Sequence, residues 1–331
     1  MPVQITIIGL GQIGTSIGLA LKSRGASVTL MGHDKDQRTA KAAQDAGAVD
    51  TYKYNLPDSV RDARIVVLAV PFADVRETLE VIAPDLQEGT LVLDTALSKG
   101  TVAAWANELV PQGRFYVGIF PAIHPDKLHG MDYGVAAASA DLFEKSVTVV
   151  TAPYGTPENV FKLTTDFISL LGSLPLLMDT AEADGLLGKV QVLPQLAAAA
   201  LLDATLDQPG WLEAKKLAAR PYAAMTSAFG YHDDAVSLRE AALENRENMV
   251  RLLNSYISSL LQLRDELEDS DREALGKRLE NAWAGRIRWF EERAEADWLN
   301  KEAQKIDAPS FGERVNQLLF GSALSDRSKR K

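Results

Sequence analysis

The sequence predicts an α/β fold: an N-terminal doubly wound sheet followed by an all-helical C-terminal domain. Three observations predict it. Short apolar runs alternate with stretches of helical length over roughly the first half of the chain. The first run, residues 5–8, opens into a turn with glycines at positions 9, 11 and 14, and then into a helix. From about Ala181 the pattern becomes helical alone. The expected domains are residues 1–180 and 181–331, and 331 residues suffice for two separate cores.

The elements follow in order. A second apolar run, residues 27–32, reads as a strand and ends near Asp34. A helix over 37–46 is stopped by Gly47. Residues 64–71 form a continuous apolar strand ended by Pro71, as in a sheet covered on both faces. Helices over 73–83, 102–109 and 157–171 alternate with strands over 90–94, 115–118, 147–151 and 174–178. In such sheets the ligand lies beyond the carboxyl ends of the strands. The loops after Ile8, Met31, Val70, Leu93 and Gly118 are therefore expected to line a site. The helical half begins with an Ala- and Leu-rich helix over 183–206, expected to kink at Pro194. Long helices over 234–267 and 269–296 follow, the latter carrying Trp283 and Trp289. The tail, 325–331, has the composition of a disordered segment.

Composition narrows the function. A net charge of −10 argues against a general nucleic-acid or anionic-membrane binder. With no cysteine, disulfides, thiolate metal sites and cysteine nucleophiles are excluded. The four histidines, His33, His124, His129 and His232, lack metal-ligand spacing. The first apolar run is a strand rather than a signal peptide, and the apolar stretch 186–206 carries Lys189, Pro194 and Asp203, as a buried helix would. A cytoplasmic enzyme is the expectation.

The Gly9-Leu10-Gly11-Gln12-Ile13-Gly14 turn sits between strand and helix, the context a dinucleotide site requires. Gly9 permits the tight turn, Gly11 lets backbone approach a pyrophosphate, and Gly14 lets the helix pack on the strand. The helix N-terminus offers free N–H groups to the phosphate. Asp34 lies about 20 residues beyond Gly14, where a ribose-binding acid is expected. Val70 and Pro71, after the third long strand, complete the expected cofactor contacts of a Rossmann domain. Lys35 and Arg38, beside Asp34, can pair with a 2′-phosphate, so both NAD and NADP stay open.

These residues resemble the prephenate and arogenate dehydrogenase family. The likeness includes the glycine turn, Val67-Leu68-Ala69-Val70-Pro71, the Asp94 and Lys99 pair, Gly118 with Pro121, Leu193-Pro194, and Asn245-Arg246. It implies oxidation of the 4-hydroxyl carbon of a cyclohexadienyl ring with loss of the ring carboxylate as CO2. It also implies a dimer formed through the second domain; Met249, Leu252, Leu253, Tyr256, Ile257, Leu260 and Leu261 offer an apolar stripe for it, and Leu318, Leu319 and Phe320 a second patch. The resemblance places a proton-accepting histidine at Phe120 and a supporting serine at Leu97. It places the histidines of a His-Leu-Pro-His segment at Val192 and Gln195, and a His-Asp pair at Ala183-Asp184. The arginine-bearing segment reads Ala219-Arg220-Pro221. The cofactor half matches; the substrate half is rewritten.

Removal of a hydroxyl proton needs an acceptor tuned near the working pH. His124, four residues beyond Phe120 on the same loop, is the first candidate, with His129 second. Lys99 is read as a ligand for a substrate carboxylate, against the alternative of a salt bridge. Lys189 occupies the place of a catalytic lysine in β-hydroxyacid dehydrogenases, although Leu193 replaces the asparagine expected four residues later. Gln195 and Arg220 are candidate substrate ligands, Arg220 as a bidentate carboxylate partner. Three readings follow: a prephenate dehydrogenase-like enzyme, a β-hydroxyacid dehydrogenase-like enzyme, or a non-catalytic dinucleotide-binding sensor.

Overall fold

The computed structural model describes residues 3–130, 132–229 and 234–296. His232, the 318–320 patch and the 325–331 tail lie outside them. The chain divides into two compact units. The first holds residues up to Val70, Asp74–Thr180 and the stretch from Phe290; the second holds Pro71–Ala73 and Ala181–Trp289.

In the first unit the strands are β1 Val3–Ile8, β2 Val28–His33, β3 Thr51–Tyr52, β4 Ala63–Leu68, β5 Leu91–Asp94, β6 Phe115–Pro121, β7 Ser146–Thr151 and β8 Ser173–Leu177. Between them run α1 Gln12–Ser23, α2 Gln37–Asp45, α3 Leu56–Val60, α4 Phe72–Ile82, α5 Lys99–Leu109 and α6 Glu158–Leu170. One sheet results, in the order β3-β2-β1-β4-β5-β6-β7-β8. All neighbours are parallel except β6 and β7. The order reverses between β1 and β4, and that reversal opens the crevice in which a dinucleotide binds. Ile5, Ile7, Ile65, Val67, Leu91 and Leu93 are fully buried, as the uninterrupted apolar runs of a doubly covered sheet require.

Two boundaries differ from the sequence reading in ways that matter. β6 continues past Gly118 to Pro121, because Gly118–Pro121 pair antiparallel with Thr148–Thr151. Phe120 is therefore a sheet residue, not a loop residue. α5 begins at Lys99 rather than 102, which puts that lysine in its first turn. The short β3 and α3 were not legible in periodicity, being two and five residues long.

Every regular element described in the second unit from Ala181 on is a helix. The expected helix over 183–206 is three segments: α7 Thr180–Leu187, a π-helical turn Gly188–Val192, and α8 Leu193–Thr205. Pro194 has no N–H to give to the carbonyl of Val190, and the wider turn lies immediately before it. Gln195 Nε2 donates to the Gln191 carbonyl at 2.8 Å, closing the break. Thr180–Thr205 is long and apolar enough to cross a membrane by length and composition. It also carries Glu182, Asp184, Lys189 and Asp203.

Next come α9 Trp211–Leu217 and α10 Arg220–Thr226, neither anticipated. The expected 234–267 helix is broken into α11 Ala235–Glu244 and α12 Arg246–Glu268. Asn245 at the break donates from Nδ2 to the Asp184 carbonyl at 2.8 Å, tying α12 to the first helix of the unit. α13 Arg272–Glu295 ends the described chain, with Trp283 70% exposed.

Candidate active site

The glycine turn emerges from β1 at the carboxyl edge of the sheet. Its three glycines differ in what dictates them. A Cβ on Gly9, whose φ is +88°, would lie 2.3 Å from the Ala69 carbonyl oxygen, and one on Gly14 would lie 1.9 Å from the Gly9 oxygen. Both are required by the protein's own packing. Gly11 differs: its φ of −70° suits any residue, and a Cβ there would meet nothing within 4 Å. Nothing among its protein neighbours explains this glycine, whereas a ligand against the backbone does. Gly11 is also the N-cap of α1 and brings no side-chain cap, whereas Asp36 and Asn55 cap α2 and α3. The first N–H groups of α1 are thus left without a side-chain partner, as an anion site at a helix start requires.

Asp34 stands at the end of β2. Its Oδ2 accepts from Leu10 N at 2.8 Å and its Oδ1 from Asp36 N at 2.8 Å. The carboxylate is fixed beside the glycine turn, where a ribose hydroxyl would reach it. Lys35 Nζ lies 2.7 Å from Asp74 Oδ2, and Arg38 Nε 3.4 Å from Asp36 Oδ1. The Arg38 backbone N–H holds the Asp36 carboxyl below its usual range. Both cations near the ribose position already face carboxylates. These residues fit a nicotinamide dinucleotide: open space at Gly11, unpartnered helix N–H groups and a fixed acid.

In the first turn of α5, beyond the end of β5, Lys99 is fully buried. Its Nζ lies 3.1 Å from the Asp94 backbone oxygen, and 3.2 and 3.1 Å from Oδ1 and Oδ2 of the same residue. Tyr116 donates its hydroxyl to Asp94 Oδ2 at 2.6 Å. Lys99 thus forms a salt bridge with Asp94, the alternative weighed against the carboxylate-binding role. Tyr116 was missed, because only the β5–β6 register, Val92 opposite Tyr116, brings it beside Asp94.

His124 is 9% exposed rather than a free loop residue. It caps the short turn Pro125–Lys127, with Nδ1 accepting from Asp126 N at 3.1 Å. A neutral imidazole accepting at Nδ1 carries its proton on Nε2, so the remaining ring nitrogen donates and does not accept. His129 stacks on Phe290 at 5.5 Å. Arg293, one turn further along α13, donates to the carbonyls of Ile123 at 2.7 Å and Lys145 at 3.2 Å. Partial burial draws its pKa below the usual value. The loop after β6 is thus held from one side by the end of α13. On another side Gln12 Nε2 donates to the Ala137 carbonyl, and Ser139 N to Ser16 Oγ.

In the helical unit, Lys189 is exposed on the π turn, and Gln195 spends its amide N–H on its own helix. Arg220 is exposed at the first position of α10. Among the described residues no group of three or more His, Cys, Asp or Glu side chains could hold a metal.

A doubly wound sheet with a glycine turn built for a pyrophosphate, followed by a helical unit, defines the class: an oxidoreductase using a nicotinamide dinucleotide. The family follows from comparison. Residues 17–174 match the prephenate dehydrogenase nucleotide-binding domain, and residues 179–281 match the prephenate dehydrogenase dimerization domain. The prephenate dehydrogenase of Lactococcus lactis is 27% identical over 282 residues, covering 82% of this chain and 73% of that protein. The cyclohexadienyl dehydrogenase of Zymomonas mobilis is 25% identical over 292 residues, covering 86% and 94%. Prephenate dehydrogenase from Aquifex aeolicus, solved with hydroxyphenyl propionate and NAD+, shares the fold with a TM-score of 0.74 at 22% identity, covering 87% of this chain and 98% of that one. The chain belongs to the prephenate and arogenate dehydrogenase family, and it is a prephenate dehydrogenase-like oxidoreductase that uses NAD or NADP. The β-hydroxyacid dehydrogenase and sensor readings find no support.

Proposed function

We propose that this enzyme oxidises the ring-hydroxyl carbon of a cyclohexadienyl carboxylate, prephenate or arogenate, as a cytoplasmic homodimer. The observation that carries the reading is Gly11, a glycine that the protein's own packing does not require, inside a chain matched to this family along most of its length. The bound nicotinamide ring supplies the hydride acceptor. The glycine turn and the first N–H groups of α1 hold the pyrophosphate, Asp34 receives the ribose, and Val70 and Pro71 lie along the cofactor after β4. In the helical unit Lys189 and Arg220 are the proposed partners of the substrate carboxylates, and Gln195 a further proposed substrate ligand.

The proton follows from the same geometry. Phe120 and Leu97 carry no acceptor, the Lys99 ammonium is taken up by Asp94, and His124 presents a donor. The hydroxyl proton is therefore assigned to water. On this reading kcat does not follow the titration of a positioned histidine. The purified enzyme with NAD or NADP, followed by the absorbance of reduced cofactor, is the direct test against prephenate, arogenate and small 3-hydroxy acids. Turnover of either cyclohexadienyl substrate is expected. Turnover of the hydroxy acids alone would overturn the reading.

The homodimer rests on the match to a dimerization domain and on exposed apolar side chains of the helical unit. Ile257, Leu260 and Leu261 on α12 and Trp283 on α13 are all more than two-fifths exposed, and exposed apolar patches mark association surfaces. Sedimentation should give twice the chain mass of 36.0 kDa. A single species at 36.0 kDa would refute it.

A further inference from the structure

A fully buried lysine is rare, and proteins keep one only when its charge is matched. Lys99 is matched by Asp94, which is itself fully buried. The pair reaches beyond itself in two directions. Asp94 Oδ1 accepts from Ala96 N at 2.8 Å, folding the chain back at the carboxyl end of β5. Asp94 Oδ2 takes the Tyr116 hydroxyl, joining β5 to β6. The next residue is anchored on the other side: Thr95 donates from N at 3.0 Å and from Oγ1 at 3.1 Å to the Leu68 carbonyl at the end of β4. Gly118 closes the cluster, since a Cβ there would sit 3.0 Å from Lys99 Cδ and 3.1 Å from the Tyr116 hydroxyl.

The result is a short turn, Thr95-Ala96-Leu97, tied to three adjacent strands where the sheet's carboxyl edge passes β4 and β5. A dinucleotide whose adenosine ribose meets Asp34 beyond β2 must lay its other mononucleotide on this side of the strand-order reversal. We propose that Lys99, Asp94 and Tyr116 are positioning residues. They hold the β5–α5 turn in the shape that receives the nicotinamide half of the cofactor. A buried ion pair contributes little net stability against an apolar replacement, and in some proteins buried polar groups instead specify one conformation. The cluster is charged because a turn held by packing alone would keep several conformations, whereas bonds to one carboxylate define one.

The proposal rests on the cofactor assignment above, and calorimetric titration separates the two. NAD and ADP-ribose, which lacks the nicotinamide, are titrated into wild type, Tyr116→Phe and the double variant Asp94→Asn/Lys99→Met. Tyr116→Phe preserves volume, and the double variant removes both charges together, so neither leaves a buried charge unpaired. The expected result is binding of both ligands by wild type. In the variants the NAD Kd rises about 10-fold while the ADP-ribose Kd stays within about twofold. A purely structural role would weaken both ligands together. Equal shifts for the two ligands, or a selective loss in neither variant, would overturn the proposal. Failure of wild type to bind ADP-ribose would overturn the cofactor assignment and the proposal with it.

Discussion

Replacing Gly11 by alanine isolates what the glycine turn is for. The backbone at Gly11 is extended, with φ −70° and ψ −158°, and a Cβ there meets no atom within 4 Å. Removing glycine's extra freedom in the unfolded chain stabilises by about 0.4–1 kcal/mol where the conformation suits alanine. Losing the glycine N-cap costs about 0.5–1 kcal/mol in the other direction, since glycine ranks well above alanine there. The two nearly cancel, so Gly11→Ala should unfold within about 0.5 kcal/mol of wild type. Its cofactor affinity should not survive so well. A methyl group in the space meant for phosphate oxygens displaces at least one charge-assisted hydrogen bond, about 1.5–3 kcal/mol. That is about 10- to 100-fold in Kd. Gly14→Ala is the control: its Cβ falls 1.9 Å from the Gly9 oxygen and 3.1 Å from Ile7 Cγ2. Helix and strand must part by roughly 1 Å, an overpacking cost of about 1–3 kcal/mol. Urea denaturation and calorimetric titration of NAD measure both quantities on both variants. A Gly11→Ala protein that is stable and binds cofactor with wild-type affinity would refute the reasoning.

Three further outcomes are expected. NAD should bind at least about tenfold more tightly than NADP, because the fixed Asp34 carboxylate opposes a 2′-phosphate while Lys35 and Arg38 face Asp74 and Asp36; the two dissociation constants decide it, and a preference for NADP would reverse the assignment. His124→Ala should lower stability by about 1 kcal/mol through the lost cap and leave turnover within about tenfold; a loss of about 10²–10⁴ would restore His124 as the proton acceptor. The Ser139 hydroxyl, opposed by desolvation and helped by Lys127, holds the Asp141 carboxyl below its usual value. Its contribution is therefore complete above about pH 4, the unfolded value, and fades as pH falls through the lower folded one; the melting temperature of wild type should drop more between pH 5 and 3 than that of Asp141→Asn, and parallel curves would show the contact to be idle.

The sheet and the glycine turn were legible in the sequence because their signals are local. Continuous apolar runs such as residues 65–68 mark a strand covered on both faces wherever it pairs, and the spacing of Gly9, Gly11 and Gly14 encodes a turn within six residues. The carboxylate at Asp34 lay at a spacing set by one helix and one strand. The expected roles of His124 and Lys99 rested on their sequence neighbourhoods, and neither depends on neighbourhood alone. His124 is engaged by an N–H only two residues away, yet its burial comes from the loop around it, where its own N–H bonds to the Leu142 carbonyl at 2.6 Å. Lys99 is claimed by Asp94 five residues back and by a cluster completed from the neighbouring strand.

The sequence by itself therefore determined the long strands, their order along the chain and the pyrophosphate turn, since hydrophobic period and backbone permissiveness act over a few residues. Only the tertiary structure decided which polar side chains are available for chemistry. Whether a lysine is a ligand or half of a buried pair depends on strand register and on atoms far away in the chain. Tyr116 reaches Asp94 across 22 residues, and Arg293 reaches Ile123 across 170. No local pattern carries that information, because it arises only when the strands have paired and residues distant in the chain have come together.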